Sequence, residues 1–104
     1  MNYENVWGFI KPSSSIRIRN ILFEEQGGKC YYCHAEMIER GRGRKARAKP
    51  MHDLNPTIDH KIPQTRGGTN DKHNLCAACH KCNTKKANMT EEEFISWMKR
   101  RGEI

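Results

Sequence analysis

The sequence predicts a small α+β domain in which a short β-hairpin and the helix after it are pinned by a metal site and flanked by further helices. Three observations predict this. Two C-x-x-C turns, KCYYCH at 29–34 and CHKC at 79–82, lie far apart in the chain. Between them, PTIDHKIP (56–63) reads as a strand bounded by prolines, TRGGTND (65–71) as a glycine-rich turn, and residues 74–78 as the returning strand. On either side, apolar residues recur at helical spacing next to capping residues. A chain of 104 residues supports one modest domain, read as 1–104. With 36% hydrophobic and 30% charged residues, side-chain burial alone builds a thin core, so another source of stability is expected.

In chain order, Trp7, Phe9 and Ile10 suggest a short extended segment that packs on the body. The serines at 13–15 offer N-cap oxygens for a helix whose stripe is Ile18, Ile21 and Leu22, and Gly27 and Gly28 can end it in a left-handed turn. After the hairpin, a short helix is expected to begin near Cys82 and run to about Asn88. The last helix, about 90–101, is the clearest: Thr90 and Glu93 form a capping box, acids crowd its first turn, and Lys99, Arg100 and Arg101 crowd its last. Phe94, Trp97 and Met98 share one face, read as core. The N-terminal MNYENVWGFIKPSSS has no apolar run suited to a signal peptide or membrane span, so an intracellular, cytoplasmic protein with no membrane partner is expected. In that compartment cysteines are more often metal ligands than disulfides, and an odd count of five fits four ligands and one free thiol.

The net charge of +7 is concentrated. Residues 40–49, RGRGRKARAK, hold Arg40, Arg42, Arg44, Lys45, Arg47 and Lys49 and no acid; without them 13 basic residues face 12 acidic ones. Two compatible readings stand: a solvated, mobile loop, or an arm for a polyanion.

A C-x-x-C turn sets two thiolates at adjacent vertices of a tetrahedron, and two such turns close a four-cysteine zinc site of the structural kind. Cys30 and Cys33 form the first. NLCAACHKCNTKK (74–86) offers two overlapping choices for the second, Cys76 with Cys79 or Cys79 with Cys82. Cys76 falls within the expected strand, where a small apolar residue suits the pleat, whereas Cys79 and Cys82 lead into the helix. The ligands are therefore Cys30, Cys33, Cys79 and Cys82, with Cys76 a buried hydrophobe and His34 and His80 surface residues.

Taken with this cysteine frame, KCYYC (29–33), IDHKIP (58–63), GGTND (67–71), NL (74–75) and CHKCNTKK (79–86) resemble the HNH endonuclease family. The resemblance covers about residues 16–88. In that family the second knuckle commonly begins five residues after the central asparagine, and an asparagine or histidine follows its last cysteine; here these are Asn74, Cys79 and Asn83. It implies the ββα-metal fold and picks the same cysteine pair. The basic insertion at 40–49 departs from the family pattern.

The resemblance implies a metal-dependent endonuclease that hydrolyses phosphodiesters in double-stranded DNA. His60 would be the general base for water. Asp59 and Asn83 would offer hard oxygens to a catalytic Mg2+ or Mn2+. Asn74 would tie the hairpin loop and help hold the His60 ring. Arg66, Lys85 and Lys86, with the basic segment, are candidate phosphate contacts. Neighbouring strand residues face opposite ways, so Asp59 and His60 can share a site only where the strand ends or twists. A non-catalytic, zinc-stabilised nucleic-acid-binding module is the alternative, one that has no need of Asp59, His60, Asn74 and Asn83.

Overall fold

Two antiparallel strands, β1 (Pro56–His60) and β2 (Leu75–Cys79), form the centre of the computed structural model, which describes residues 14–41 and 43–104. The expected N-terminal segment around Trp7, Phe9 and Ile10 lies outside these residues, as do Ser13, Arg42 and the side chain of Arg47. The register pairs Pro56 with Cys79, Ile58 with Ala77, Asp59 with Cys76 and His60 with Leu75. Every residue of β2 is buried, and the alanines at 77 and 78 let neighbours approach closely. The free edge of β2 does not stay open. Gln26 pairs with Ala77 like a third strand, its Oε1 accepting from the amide at 2.8 Å and its Nε2 donating to the carbonyl at 2.9 Å. Buried backbone groups at a sheet edge are thereby satisfied.

Helix α1 (Ser15–Glu25) starts at Ser14, whose Oγ accepts from the Arg17 amide at 3.2 Å, and stops at Gly27 and Gly28, both at positive φ. Leu22 is buried and Ile18 packs beside it. The basic segment differs from the loop reading, because Gly43–Ala48 is a helix, α2. The residues Arg-Lys-Ala-Arg-Ala are strong helix formers. Arg40 reaches forward to bind the far end: its guanidinium donates to Ala46 O at 3.2 Å and Lys49 O at 2.6 Å. Carbonyls at a helix end need such partners, and a cation there suits the helix dipole.

Helix α3 (His80–Lys86) follows β2 directly and ends two residues earlier than expected, where Ala87 turns to positive φ. Helix α4 (Glu91–Arg100) carries the full capping box and buries Phe94 and Met98. Its start is tied to the end of β1 by the Glu91 amide, which donates to Lys61 O at 2.8 Å. Tyr31, Tyr32, Phe94 and Trp97 form an aromatic row with centroid separations of 5.1, 5.0 and 5.9 Å, joining the first cysteine turn to α4. The result is a small ββα arrangement with flanking helices, the expected fold class. Among the described residues no helix is long and apolar enough to cross a membrane.

Candidate metal centre and nuclease site

The Sγ atoms of Cys30, Cys33, Cys79 and Cys82 all lie within 4.8 Å of one another, and Cys33 and Cys79 are 3.9 Å apart. Four sulfurs about 2.3 Å from a central zinc in a tetrahedron lie about 3.8 Å from each other, so the cluster fits that ion. Each ligand is placed by local structure. The Cys30 turn is closed by His34 N donating to Cys30 O at 3.0 Å and Cys30 N donating to Ala35 O at 2.9 Å. Cys79 ends β2 and caps α3, its Sγ accepting from the Cys82 amide at 3.4 Å, while its own amide donates to Cys30 Sγ at 3.3 Å.

The thiols of Cys30, Cys79 and Cys82 perturb one another. Hydrogen bonds from Cys79 and Cys82 hold the Cys30 thiol far below its ordinary range. The bond with Cys30 pushes Cys79 up to about 11, and its bonds with Cys30 and Cys79 push Cys82 higher still. A thiolate at Cys30 thus disfavours a second at Cys79 or Cys82, and a bound divalent cation would offset that repulsion. Cys76 stands apart: it is buried, its Sγ lies 3.6 Å from Asp59 Oδ2, and burial raises its thiol. His34 and His80 are not in the cluster.

At the other end of β1, Asp59 and His60 line one cleft of about 230 Å³ together with Pro63, Gln64, Asn83 and Lys86. His60 is the last residue of the strand, where alternation no longer separates neighbours. Asp59 is buried, with Tyr32 Oη donating to Oδ2 at 2.6 Å and Lys86 Nζ 3.2 Å from Oδ1. Burial keeps the Tyr32 hydroxyl protonated, so it remains a donor. Asn83 donates its amide to Thr57 Oγ1 at 2.9 Å and Ile58 O at 3.4 Å, which leaves its carbonyl oxygen as an acceptor.

Asn74, buried below the loop, accepts from Ile62 N at 2.9 Å and donates to Ile62 O at 3.1 Å and Thr69 O at 2.9 Å. Gly68 completes that packing: a Cβ there would lie 1.6 Å from Ile62 O and 3.0 Å from Asn74 Nδ2, so only glycine fits. The Asn74 side chain makes these bonds within the loop and none to the His60 ring. That ring instead meets Asn70, with Nε2 2.8 Å from Oδ1.

The HNH endonuclease family model matches residues 47–98, half of the chain, and takes in the hairpin, the cleft and the second cysteine pair. The chain belongs to the HNH endonuclease family. It is also 32% identical over 96 residues to the CRISPR-associated endonuclease Cas9 of Corynebacterium diphtheriae. That alignment covers 91% of this chain and 7% of the relative, so the chain spans a small part of that protein's length. Both similarities support a nuclease domain.

In this HNH domain, Arg66, Lys85 and Lys86 each face a carboxylate, and of the three Lys86 lines the cleft. Arg66 pairs with Glu93, Lys85 with Glu103 at 2.7 Å and Lys86 with Asp59. In the basic segment, Arg40 is spent on α2 and on Met51 Sδ, whereas Arg44, Lys45 and Lys49 lie toward solvent. Sequence reasoning missed Tyr32, Asn70 and the burial of Lys86. Lys86 stands three residues after Asn83, on the same helix face, which is a signal that could have found it.

Proposed function

We propose that this chain is a metal-dependent HNH endonuclease domain that hydrolyses phosphodiester bonds in double-stranded DNA, with 1–104 acting as one domain around a core at 16–88. The observation that carries this is the convergence of Asp59, His60 and Asn83 on one cleft. In this reading Cys30, Cys33, Cys79 and Cys82 bind a structural Zn2+, which adds to a core of few large side chains.

His60 takes the proton from the water that attacks phosphorus. Asp59 and Asn83 present the oxygens that would hold Mg2+ or Mn2+, a donor set suited to a hard cation. When bound, such an ion neutralises charge on the phosphate and on the departing 3′ oxygen. Lys86 already shares the Asp59 carboxylate, so the cation would bind beside an ammonium rather than in its place. Arg44, Lys45 and Lys49, with Arg42 and Arg47, supply phosphate contacts from the basic segment at 40–49, and Arg66 and Lys85 are the further candidates; Lys86, buried against Asp59, braces the cleft instead.

One observation favours the second reading, a zinc-stabilised nucleic-acid-binding module without catalysis: both oxygens of Asp59 already have partners inside the protein. Supercoiled plasmid incubated with the protein, with and without Mg2+ or Mn2+, separates the two. Relaxed or linear product that requires the ion is expected. His60→Ala should lower that rate by about 100-fold or more while DNA affinity and zinc content stay constant. Bound but uncut plasmid under every ion supports the binding module.

A further inference from the structure

Among the described residues the ring of His60 has one hydrogen-bond partner, Asn70 Oδ1 at 2.8 Å from Nε2. Gln64 Nε2 approaches the same oxygen at 3.3 Å. An amide oxygen only accepts, and it is Asn70 Oδ1 that faces both the ring and Gln64 Nε2. The proton of a neutral His60 therefore sits on Nε2, and Nδ1 carries the lone pair.

Asn70 is itself held. Asn74 donates to the carbonyl of Thr69, the residue just before it, at 2.9 Å, and Asp71 N donates to Thr69 Oγ1 at 3.4 Å on the other side. A buried asparagine under the loop thus fixes an exposed one at its rim, which in turn meets the ring.

We propose that Asn70 is the positioning residue of the nuclease site. It sets the orientation and tautomer of His60 so that Nδ1, and not Nε2, takes the proton from water. The inference rests on the reading of His60 as general base. It also gives the Asn74 side chain an indirect role, since it supports the His60 ring through Thr69 and Asn70.

The test uses the full chain and two variants at one exposed position. Asn70→Leu keeps the approximate size and removes the acceptor. Asn70→Asp keeps an acceptor at the same place. Nitrogen-15 NMR of the imidazole, recorded on protein free of Mg2+ at a pH where His60 is neutral, reads the tautomer directly. Wild type and Asn70→Asp should show protonated Nε2 and bare Nδ1, whereas Asn70→Leu should show averaged nitrogens. Plasmid cleavage by Asn70→Leu should fall about 10–100-fold, the usual cost of losing a partner that orients a functional histidine, with DNA affinity unchanged and with Asn70→Asp restoring most of the rate. An unchanged imidazole pattern in Asn70→Leu, or wild-type cleavage by it, overturns the proposal. Failure of the general-base reading shows separately, as wild-type cleavage by His60→Ala.

Discussion

Lys86 and Asp59 form a buried ion pair beside His60, with Nζ 3.2 Å from Oδ1 and side chains only 1% and 4% exposed. The same ammonium donates to the His60 carbonyl at 2.9 Å, so a single cation joins α3 to the end of β1. Two charges removed from water need each other, and taking one away strands the other in the interior. Lys86→Ala should therefore lower stability by about 3–5 kcal/mol. Lys85→Ala, one position earlier but facing solvent with Glu103, should change it little, because exposed pairs contribute little. Urea unfolding of the two variants decides this. Equal losses would mean that the Lys86–Asp59 pair is solvated and does not hold the cleft together.

The cysteine cluster predicts a division among five thiols. Cys79→Ser and Cys82→Ser should lose bound zinc and much of the fold, since structural zinc contributes roughly 10–16 kcal/mol in small peptides against a total stability of about 5–15 kcal/mol for a domain. Cys76→Ala should retain one zinc per chain, because its Sγ faces Asp59 and not the cluster. Protons compete with metal for thiolates whose ordinary titration lies above neutrality, so zinc should be released as pH falls. Metal analysis and circular dichroism across the variants check both statements. A zinc-free Cys76→Ala protein would assign the second knuckle to the wrong pair.

Helix α2 makes a prediction that a disordered arm would not. Arg40 binds the carbonyls of Ala46 and Lys49, so Arg40→Ala should lose local helicity while the cations along α2 keep their charge. Changing Arg44, Lys45 and Lys49 together to Gln should leave the helix and remove its grip on phosphate. Every phosphate that is no longer neutralised lowers the salt slope of log affinity by about 0.9. Binding measured over a salt series should show a shallower slope for the triple variant. Coincident slopes would place the grip on DNA elsewhere, at Arg66 and Lys85.

What is legible in the sequence is what short-range rules govern. The capping box at Thr90 and Glu93, the stop at Gly27 and Gly28, and the choice of Cys79 with Cys82 over Cys76 each follow from residues a few positions apart. Helix α2 is hidden because the side chain that caps it, Arg40, lies outside the helix and acts from nine residues before Lys49. Asn70 is hidden because a turn asparagine has a sufficient local reason to be there, and its bond to His60 exists only once Asn74 has folded the loop. The burial of Lys86 is only half legible: its place three residues after Asn83 sets it on the cleft face of α3, but its partner Asp59 lies 27 residues away and is joined to it only in the fold.

The pairing of Arg66 with Glu93 and of Lys85 with Glu103 leads to the last prediction. Both acids stand where a DNA phosphate would have to bind those cations, and both carboxyls are held below their ordinary range, first by the hydrogen bond from the paired cation. A lowered pKa means that the charged form persists down to acidic pH and is lost only as pH falls through the shifted value, so the cations stay covered at any neutral assay pH. Glu93→Gln is an informative change because glutamine still serves the capping box, where Glu93 Oε1 now accepts from the Thr90 amide at 2.9 Å. The double variant Glu93→Gln, Glu103→Gln should keep α4 and free Arg66 and Lys85. It should bind duplex DNA more tightly at low salt, and its salt slope should steepen by up to about 0.9 for each cation that then meets a phosphate. Affinity across a salt series, read beside the helicity of α4, checks this. An unchanged slope with an intact helix would show that Arg66 and Lys85 serve only to fasten α4 and its tail to the nuclease body.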